Sequence, residues 1–308
     1  MKITPLIAST FTSDGGTLFG LVPKTLWSRL MTPDENNQVP QNANSLLVTL
    51  DDGRLGLIET GCGPASRFTE KERERNGLGP GWPLLETLAT LGIAPEQIEF
   101  VVCTHAHWDH IGGLLAGTPS EPTRAFPKAT LYLHAQEWKD ATSGDPLLYK
   151  AYPRDLIDPV ASLYAHSITT SKSTEVDVVP GVSLVHTSGH TTGHCLVRLH
   201  GEAIELDHPD SIFFFPPRQV LYLGDLAPTR HHLRLVYGTG YDIFPLDTRR
   251  WKHRNLPDLA RDKVPVFFPH DPDLFGTTLS PHPKLEFAPD KPLRIEFLPG
   301  KVPPTANA

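Results

Sequence analysis

Apolar residues along this chain gather into short runs divided by polar, glycine- and proline-rich stretches. The runs SLLVTL (45–50), LGLIE (55–59), EFVVC (99–103), ATLYLH (129–134), VSLVHT (182–187), CLVRLH (195–200), VLYLG (220–224) and VPVFFP (264–269) have the β-branched and aromatic make-up of strands. The first two flank an Asp-Gly turn, a strong signal for a hairpin. Between the strands, PLLETLATLGI (83–93) repeats apolar residues at helical spacing and stops at Gly92, and AQEWKDAT (135–142) reads as another helix. Strands and helices interleave, which predicts an α/β chain rather than an all-β one. The 31 prolines are spread out, as ordered loops between short elements require. Two stretches read as insertions into a single domain spanning 1–308: 143–175, with helical fragments rich in Tyr and Pro, and 201–219 (GEAIELDHPDSIFFFPPRQ), a hairpin extension. Long ordered connections of this kind often wall a pocket.

Chemistry-bearing residues concentrate where the apolar runs end. EFVVC leads into THAHWDH (104–110). His105 and His107 are two apart and project to one side only while the chain is extended. Asp109 and His110 sit where a helix should begin, and aspartate is a common cap there. Capping uses one side chain, however, and leaves three imidazoles in a tight turn unexplained, so metal binding is the better reading. VSLVHT then leads into SGHTTGH, with His190 and His194; VLYLG leads to Asp225; VPVFFP leads to His270 and Asp271. Separate strand ends thus deliver His or Asp to loops, as a scaffold must if it gathers ligands from distant sequence.

In order and approximate spacing, THAHWDH, GHTTGH, the Gly224-Asp225 pair and FPHD resemble the metallo-β-lactamase superfamily of metallo-hydrolases, over residues 45–271. The resemblance implies an αββα sandwich of two mixed β-sheets flanked by helices, with the site at one edge. It implies two divalent metal ions: one held by His105, His107 and His190, a second by Asp109, His110 and His270, with Asp225 bridging them. Imidazole and carboxylate donors suit Zn2+ first, although Fe, Mn or Co take the same set. A hydroxide shared by such a pair attacks without a serine or cysteine nucleophile, and Asp109 is placed to relay a proton to the leaving group. Families of this fold usually carry aspartate where LIETGCG places Glu59, which is expected to support the metal loop from behind. His194 is expected to be structural, Cys103 and Cys195 to be buried in strands, and Cys62 to lie near the site without a ligand role.

Aspartate at the bridging position disfavours the class B β-lactamases, which typically use cysteine in the second metal site, and the basic residues with which glyoxalase II holds glutathione have no identifiable counterpart. The net charge of 28 minus 35, or -7, argues against nucleic acid and anionic membranes as partners. What remains is similar to the lactonase and organophosphate-hydrolase branch: a dinuclear hydrolase of a lactone, ester or related small molecule, with phosphotriesterase side activity. The stretches 14–27 and 224–248 resemble hydrolases near that branch. Its lactonases use a tyrosine beyond the bridging aspartate to contact the substrate carbonyl, a role for which Tyr237 and Tyr241 are the candidates; Phe19, Leu21 and Trp27 are candidates for the pocket lining. A mononuclear iron dioxygenase of a sulfur substrate would need only His105, His107, His190 and Asp225, and a non-catalytic metal-binding scaffold would have lost ligands, so all seven donors together favour the hydrolase. Three cysteines without a CxxC pair and an N-terminus without a secretory apolar core predict a cytoplasmic setting. No apolar run reaches eighteen residues, so no membrane span is expected, and IFFF (212–215) is a candidate homodimer edge.

Overall fold

The computed structural model describes residues 1–148, 150–207 and 217–294. Apart from a two-stranded ribbon of Leu115–Gly117 and Pro122–Arg124, its strands form two seven-stranded mixed sheets. The first runs, from edge to edge, Glu205–Leu206, Lys2–Asp14, Gln38–Thr49, Leu55–Ile58, Ile98–Val102, Thr130–His134 and Ile168–Ser171. The second runs Glu286–Arg294, Leu274–His282, Val266–Phe267, Gln219–Tyr222, Cys195–His200, Val182–His186 and Glu175–Val179. Their inner faces meet in one buried core, with Ile3, Leu46, Ile58 and Phe100 from the first sheet against Leu184, Val197, Tyr222 and Phe275 from the second. Helices Pro83–Thr90, Ala135–Thr142 and Arg154–Leu163 cover the outer face of the first sheet, where Leu84, Ala141 and Val160 share a cluster with Leu57, Val101 and Leu131. Helix Pro245–Arg261 covers the second through Leu256, Leu259 and Ala260. The result is the αββα sandwich that the resemblance implies.

Elements without a clear period escape a sequence reading. Strand Lys2–Asp14 is buried on both faces almost throughout, Thr4 and Ser9 included, so no alternation marks it. Strand Glu286–Arg294 contains Pro289 and Pro292, residues that cannot donate to a ladder; it lies at a sheet edge, where that loss is tolerated. Helix Pro245–Arg261 is polar over most of its surface and carries Pro257 inside it. The turn after EFVVC also differs in detail: helix Trp108–Ile111 begins with His107 at the cap position, so Asp109 lies in the first turn and caps nothing. Of the stretch 201–219, Glu205–Leu206 pairs parallel with the N-terminal strand, while IFFF lies outside the described residues. Among the described residues no helix is long and apolar enough to cross a membrane.

Parallel pairing is what positions the site. Ile58 pairs with Val102, and Tyr222 with Phe267, each across a parallel pair of strands. Parallel neighbours release their chains at the same edge, so Glu59 emerges beside the 103–110 loop and Asp225 beside the His270 loop. The turn joining Val182–His186 to Cys195–His200 meets them there, its base tied to the 103–110 loop by Cys195 N–H donating to Thr104 O at 2.9 Å.

Candidate metal centre

Three groups of donor atoms converge at this edge, each within 4.8 Å: His105, His107 and His190; His105, His110 and Asp225; Asp109, His110 and His270. The first and third are the two expected trios, and the middle one shares Asp225. Asp225 Oδ2 lies 3.2 Å from His190 Nε2, whereas Oδ1 lies 3.1 Å from His270 Nε2 and 3.5 Å from His110 Nε2, so the carboxylate spans the two trios. Asp109 Oδ2 stands 3.5 Å from His270 Nε2 and 3.9 Å from His110 Nε2.

The outer nitrogen of most of these imidazoles is already engaged. His190 Nδ1 faces Asp242 Oδ1 at 3.0 Å, His270 Nδ1 faces Asn42 O at 2.8 Å, His105 Nδ1 faces Thr104 Oγ1 at 2.9 Å and His110 Nδ1 faces Glu59 Oε2 at 3.4 Å. Carboxylate and carbonyl oxygens only accept, so the outer nitrogens of His190, His270 and His110 carry a proton, which leaves the inner Nε2 available to a cation, while the Thr104 hydroxyl can serve His105 Nδ1 in either role. His107 turns its Nδ1 inward, 3.0 Å from His105 Nε2 and 3.1 Å from His190 Nε2, and His270 Nε2 lies 3.1 Å from His110 Nε2. Lone pairs packed this closely repel, and Asp225 Oδ1 is buried with no hydrogen-bond donor. A cation between them removes both penalties, so the donor set fits a metal pair.

Charge is distributed unevenly. Burial, reinforced by the neighbouring imidazoles, holds His105 and His107 well below the ordinary histidine range. For His110 burial works the same way, but the Glu59, Asp109 and Asp225 carboxylates overcome it and push the pKa up to about 10. Burial opposes ionisation of Asp225, yet His270, His190 and His110 hold its carboxyl well below the usual range.

Glu59 does stand behind the metal loop: its Oε1 accepts Thr104 N–H at 2.9 Å while Oε2 faces His110. Its backbone takes a left-handed φ of 65°, costly for a residue with a Cβ and held in place by Ser45 Oγ donating to Glu59 O. His194 accepts Asp225 N–H at Nε2 (3.0 Å) and contacts Thr187 Oγ1 through Nδ1 (2.7 Å), a structural arrangement that pins the Asp225 backbone. Gly224 beside it has φ 55°, and a Cβ there would fall 2.7 Å from His194 Nε2. Cys62, Cys103 and Cys195 are buried free thiols, and none belongs to a donor group.

A cavity of about 640 Å³ opens over the centre, reaching His107, Asp109, His190, Asp225 and His270. Its walls include Phe11, Leu18, Trp108, Leu148 and Ile243, with Lys150 and Tyr241 as polar members. The two candidate tyrosines part here: Tyr241 lines the cavity, whereas Tyr237 is buried with Phe19, Trp27 and Met31, its hydroxyl taken by Arg234. Phe19 and Trp27 belong to that core rather than to the pocket, and Leu21 is exposed. From the stretch 143–175, Leu147, Leu148, Lys150 and Ala151 line the cavity. Sequence reasoning missed Asp242 and Glu137; only the spacing Tyr241-Asp242 inside an already singled-out stretch pointed toward the first, and nothing toward the second.

A family model of the metallo-beta-lactamase superfamily matches residues 39–203. An N-acyl homoserine lactonase from a Bacillus species is 30% identical over 113 residues, 36% of this chain and 36% of the lactonase, so this chain spans about a third of that relative's length. A probable metallo-hydrolase of Mycobacterium bovis is 28% identical over 245 residues, covering 74% of this chain and 71% of its own. Among solved structures, a probable metal-dependent hydrolase from Staphylococcus aureus superposes with a TM-score of 0.80 at 24% identity, over 96% of this chain and 97% of the other. AidC, a dizinc quorum-quenching lactonase solved with a product, gives 0.69 at 18% identity over 93% of each. At those identities the structural likeness is one of fold. The family match covers more than half of the sequence and contains five of the seven expected donors, while Asp225 and His270 lie beyond it and are brought in by the tertiary structure: the chain belongs to the metallo-β-lactamase superfamily.

Proposed function

We propose that this protein is a dinuclear-metal hydrolase of a lactone, ester or related small molecule. The observation that carries the reading is the pair of donor trios joined by the Asp225 carboxylate. His105, His107 and His190 would hold one divalent ion and Asp109, His110 and His270 the other, with Zn2+ the first choice for such donors. Two bound ions supply the polarisation of a carbonyl and the activation of water that ester hydrolysis needs.

The chain's own groups do the rest. Phe11, Leu18, Leu148 and Ile243 bind an apolar portion of the substrate and keep bulk water from the centre. Tyr241 offers a hydroxyl at the cavity wall to orient the substrate's carbonyl oxygen, and Lys150 favours a substrate that is neutral or carries an anionic group. Asp109, which lines the cavity beside His270, would hold the proton that passes to the leaving oxygen. Buried free thiols fit the reducing environment of a cytoplasmic protein.

Protein purified without added metal should contain close to two zinc or mixed-metal ions per chain by elemental mass spectrometry and turn over an acyl-homoserine lactone, an aryl ester or paraoxon. A single iron per chain with no hydrolysis overturns the reading in favour of the oxygenase.

A further inference from the structure

The centre described above leaves the Thr191-Thr192-Gly193 part of the GHTTGH turn and the helix Ala135–Thr142 without a role. Glu137 on that helix is 0% exposed, and its carboxylate receives donors from separate segments of the chain. Oε1 accepts Ala106 N–H at 2.8 Å and the Tyr152 hydroxyl at 2.9 Å; Oε2 accepts the Thr191 hydroxyl at 2.5 Å. Ala106 lies between His105 and His107, and Thr191 follows His190. Tyr152 comes directly after the cavity-lining Ala151, and its ring centroid is 5.6 Å from that of His107. Gly193 lets the His190 turn approach the helix closely, since a Cβ there would fall 2.2 Å from Glu137 N.

The two turns belong to different sheets. Cys195 N–H to Thr104 O joins them where they leave their strands, and Glu137 joins them again next to the ligands themselves. A buried carboxylate costs free energy unless its oxygens are satisfied, and here every partner is a donor, so an ionised carboxylate fits all of them together. A carboxamide offers one accepting oxygen and must turn its NH2 toward a hydroxyl or an amide hydrogen.

We propose that Glu137 is a positioning residue of the metal centre, whose carboxylate sets the separation of the His105–His107 turn from the His190 turn and, through Tyr152, fixes the cavity wall to both. This rests on the reading that His105, His107 and His190 hold a metal, and it assigns Glu137 no contact with substrate.

The test compares the wild-type protein with Glu137→Gln, Thr191→Val and Tyr152→Phe. Metal affinity is read by competition with a chelator, the ligand geometry by the visible spectrum of the cobalt-loaded protein, and the scaffold by thermal unfolding of the metal-stripped form. Glu137→Gln should weaken metal binding about 10- to 100-fold and shift the cobalt bands, with Thr191→Val changing both in the same direction by less, while the metal-stripped proteins melt near wild type. Tyr152→Phe should raise KM more than it lowers kcat. Unchanged affinity and cobalt bands in both Glu137→Gln and Thr191→Val overturn the proposal, as does a loss of metal-stripped stability with affinity intact, which would make Glu137 a core strut only. If wild-type protein binds no metal, or binds it equally well after His105→Ala, the reading beneath falls first and the proposal with it.

Discussion

The two halves of the centre gather imidazoles at one edge of the sandwich, yet their carboxylates stand in different places. His105, His107 and His190 bring no carboxylate of their own; their negative charge stands behind them, in Asp242 against His190 and Glu137 beneath the turns. Asp109, His110 and His270 include a carboxylate, and Glu59 adds another behind His110. Burial and the neighbouring imidazoles hold His105 and His107 well below the ordinary histidine range, whereas burial works the same way on His190 and His110 but the carboxylates beside them overcome it, raising both and pushing His110 up to about 10. Depth alone therefore does not decide a buried histidine's charge; the carboxylates that the fold brings beside it do.

Substituting the residue the halves share should have the largest effect. Asp225→Ala is expected to lose more than about 100-fold in activity and to hold one ion or none, with an unchanged far-ultraviolet circular dichroism spectrum. Removing a donor from one half only, in His107→Ala or His270→Ala, should cost one equivalent of metal in each case; loss of both ions from both variants would show that the halves do not bind independently. Next come the outer partners. Asp242→Ala and Glu59→Ala should each weaken metal binding about 10- to 100-fold, the first on the His190 side and the second on the His110 side, resolved by stepwise titration of the metal-stripped protein. Equal effects on both steps would show that each outer carboxylate serves both halves.

A smaller effect concerns Lys252, whose buried ammonium lies near Asp242 on the His190 side. Lys252 is fully buried, donates to Tyr237 O at 2.7 Å, and is brought down to about 7 by burial even though Asp242 pulls the other way. Its folded pKa is below the unfolded value of 10.5, so the unfolded chain binds more protons across that window. Stability therefore rises with pH between about 7 and 10.5, and below it the full penalty applies, on the order of a few kcal/mol at about 1.4 kcal/mol per pKa unit. Lys252→Met should accordingly gain on wild type at pH 6 and lose that gain by pH 10 in denaturant melts. The smallest change is expected from Tyr241→Phe, a decrease of about 10-fold in kcat/KM if its hydroxyl orients substrate, against little change for Tyr237→Phe, whose ring is core.

Short-range patterns were legible where one physical rule dominated. Runs such as EFVVC and VLYLG are buried strands because little else fits β-branched and aromatic residues so bounded, and AQEWKDAT is the helix Ala135–Thr142. Strand Lys2–Asp14 and helix Pro245–Arg261 were not, because burial on both faces erases alternation and a polar surface erases amphipathicity. Of the site, the residue types at strand ends were readable, since a metal ligand needs a donor side chain such as His, Asp, Glu or Cys whatever surrounds it. Their partners were not: Asp242 is an ordinary polar residue until the fold sets it against His190, as is Glu137 until it lies beneath the two turns and Asn42 until its backbone carbonyl meets His270.

What the sequence determined by itself was a set of strands, the donors at their ends and, through order and spacing, the family to which they belong. Only the tertiary structure decided how closely the donors converge, which tyrosine reaches the cavity and which buried carboxylates stand behind them. The reason is range. Strand propensity and turn chemistry act over a few residues, whereas Asp225 meets His190 and His270 through the register of parallel strands and the packing of two sheets, and neither leaves a local trace in the chain.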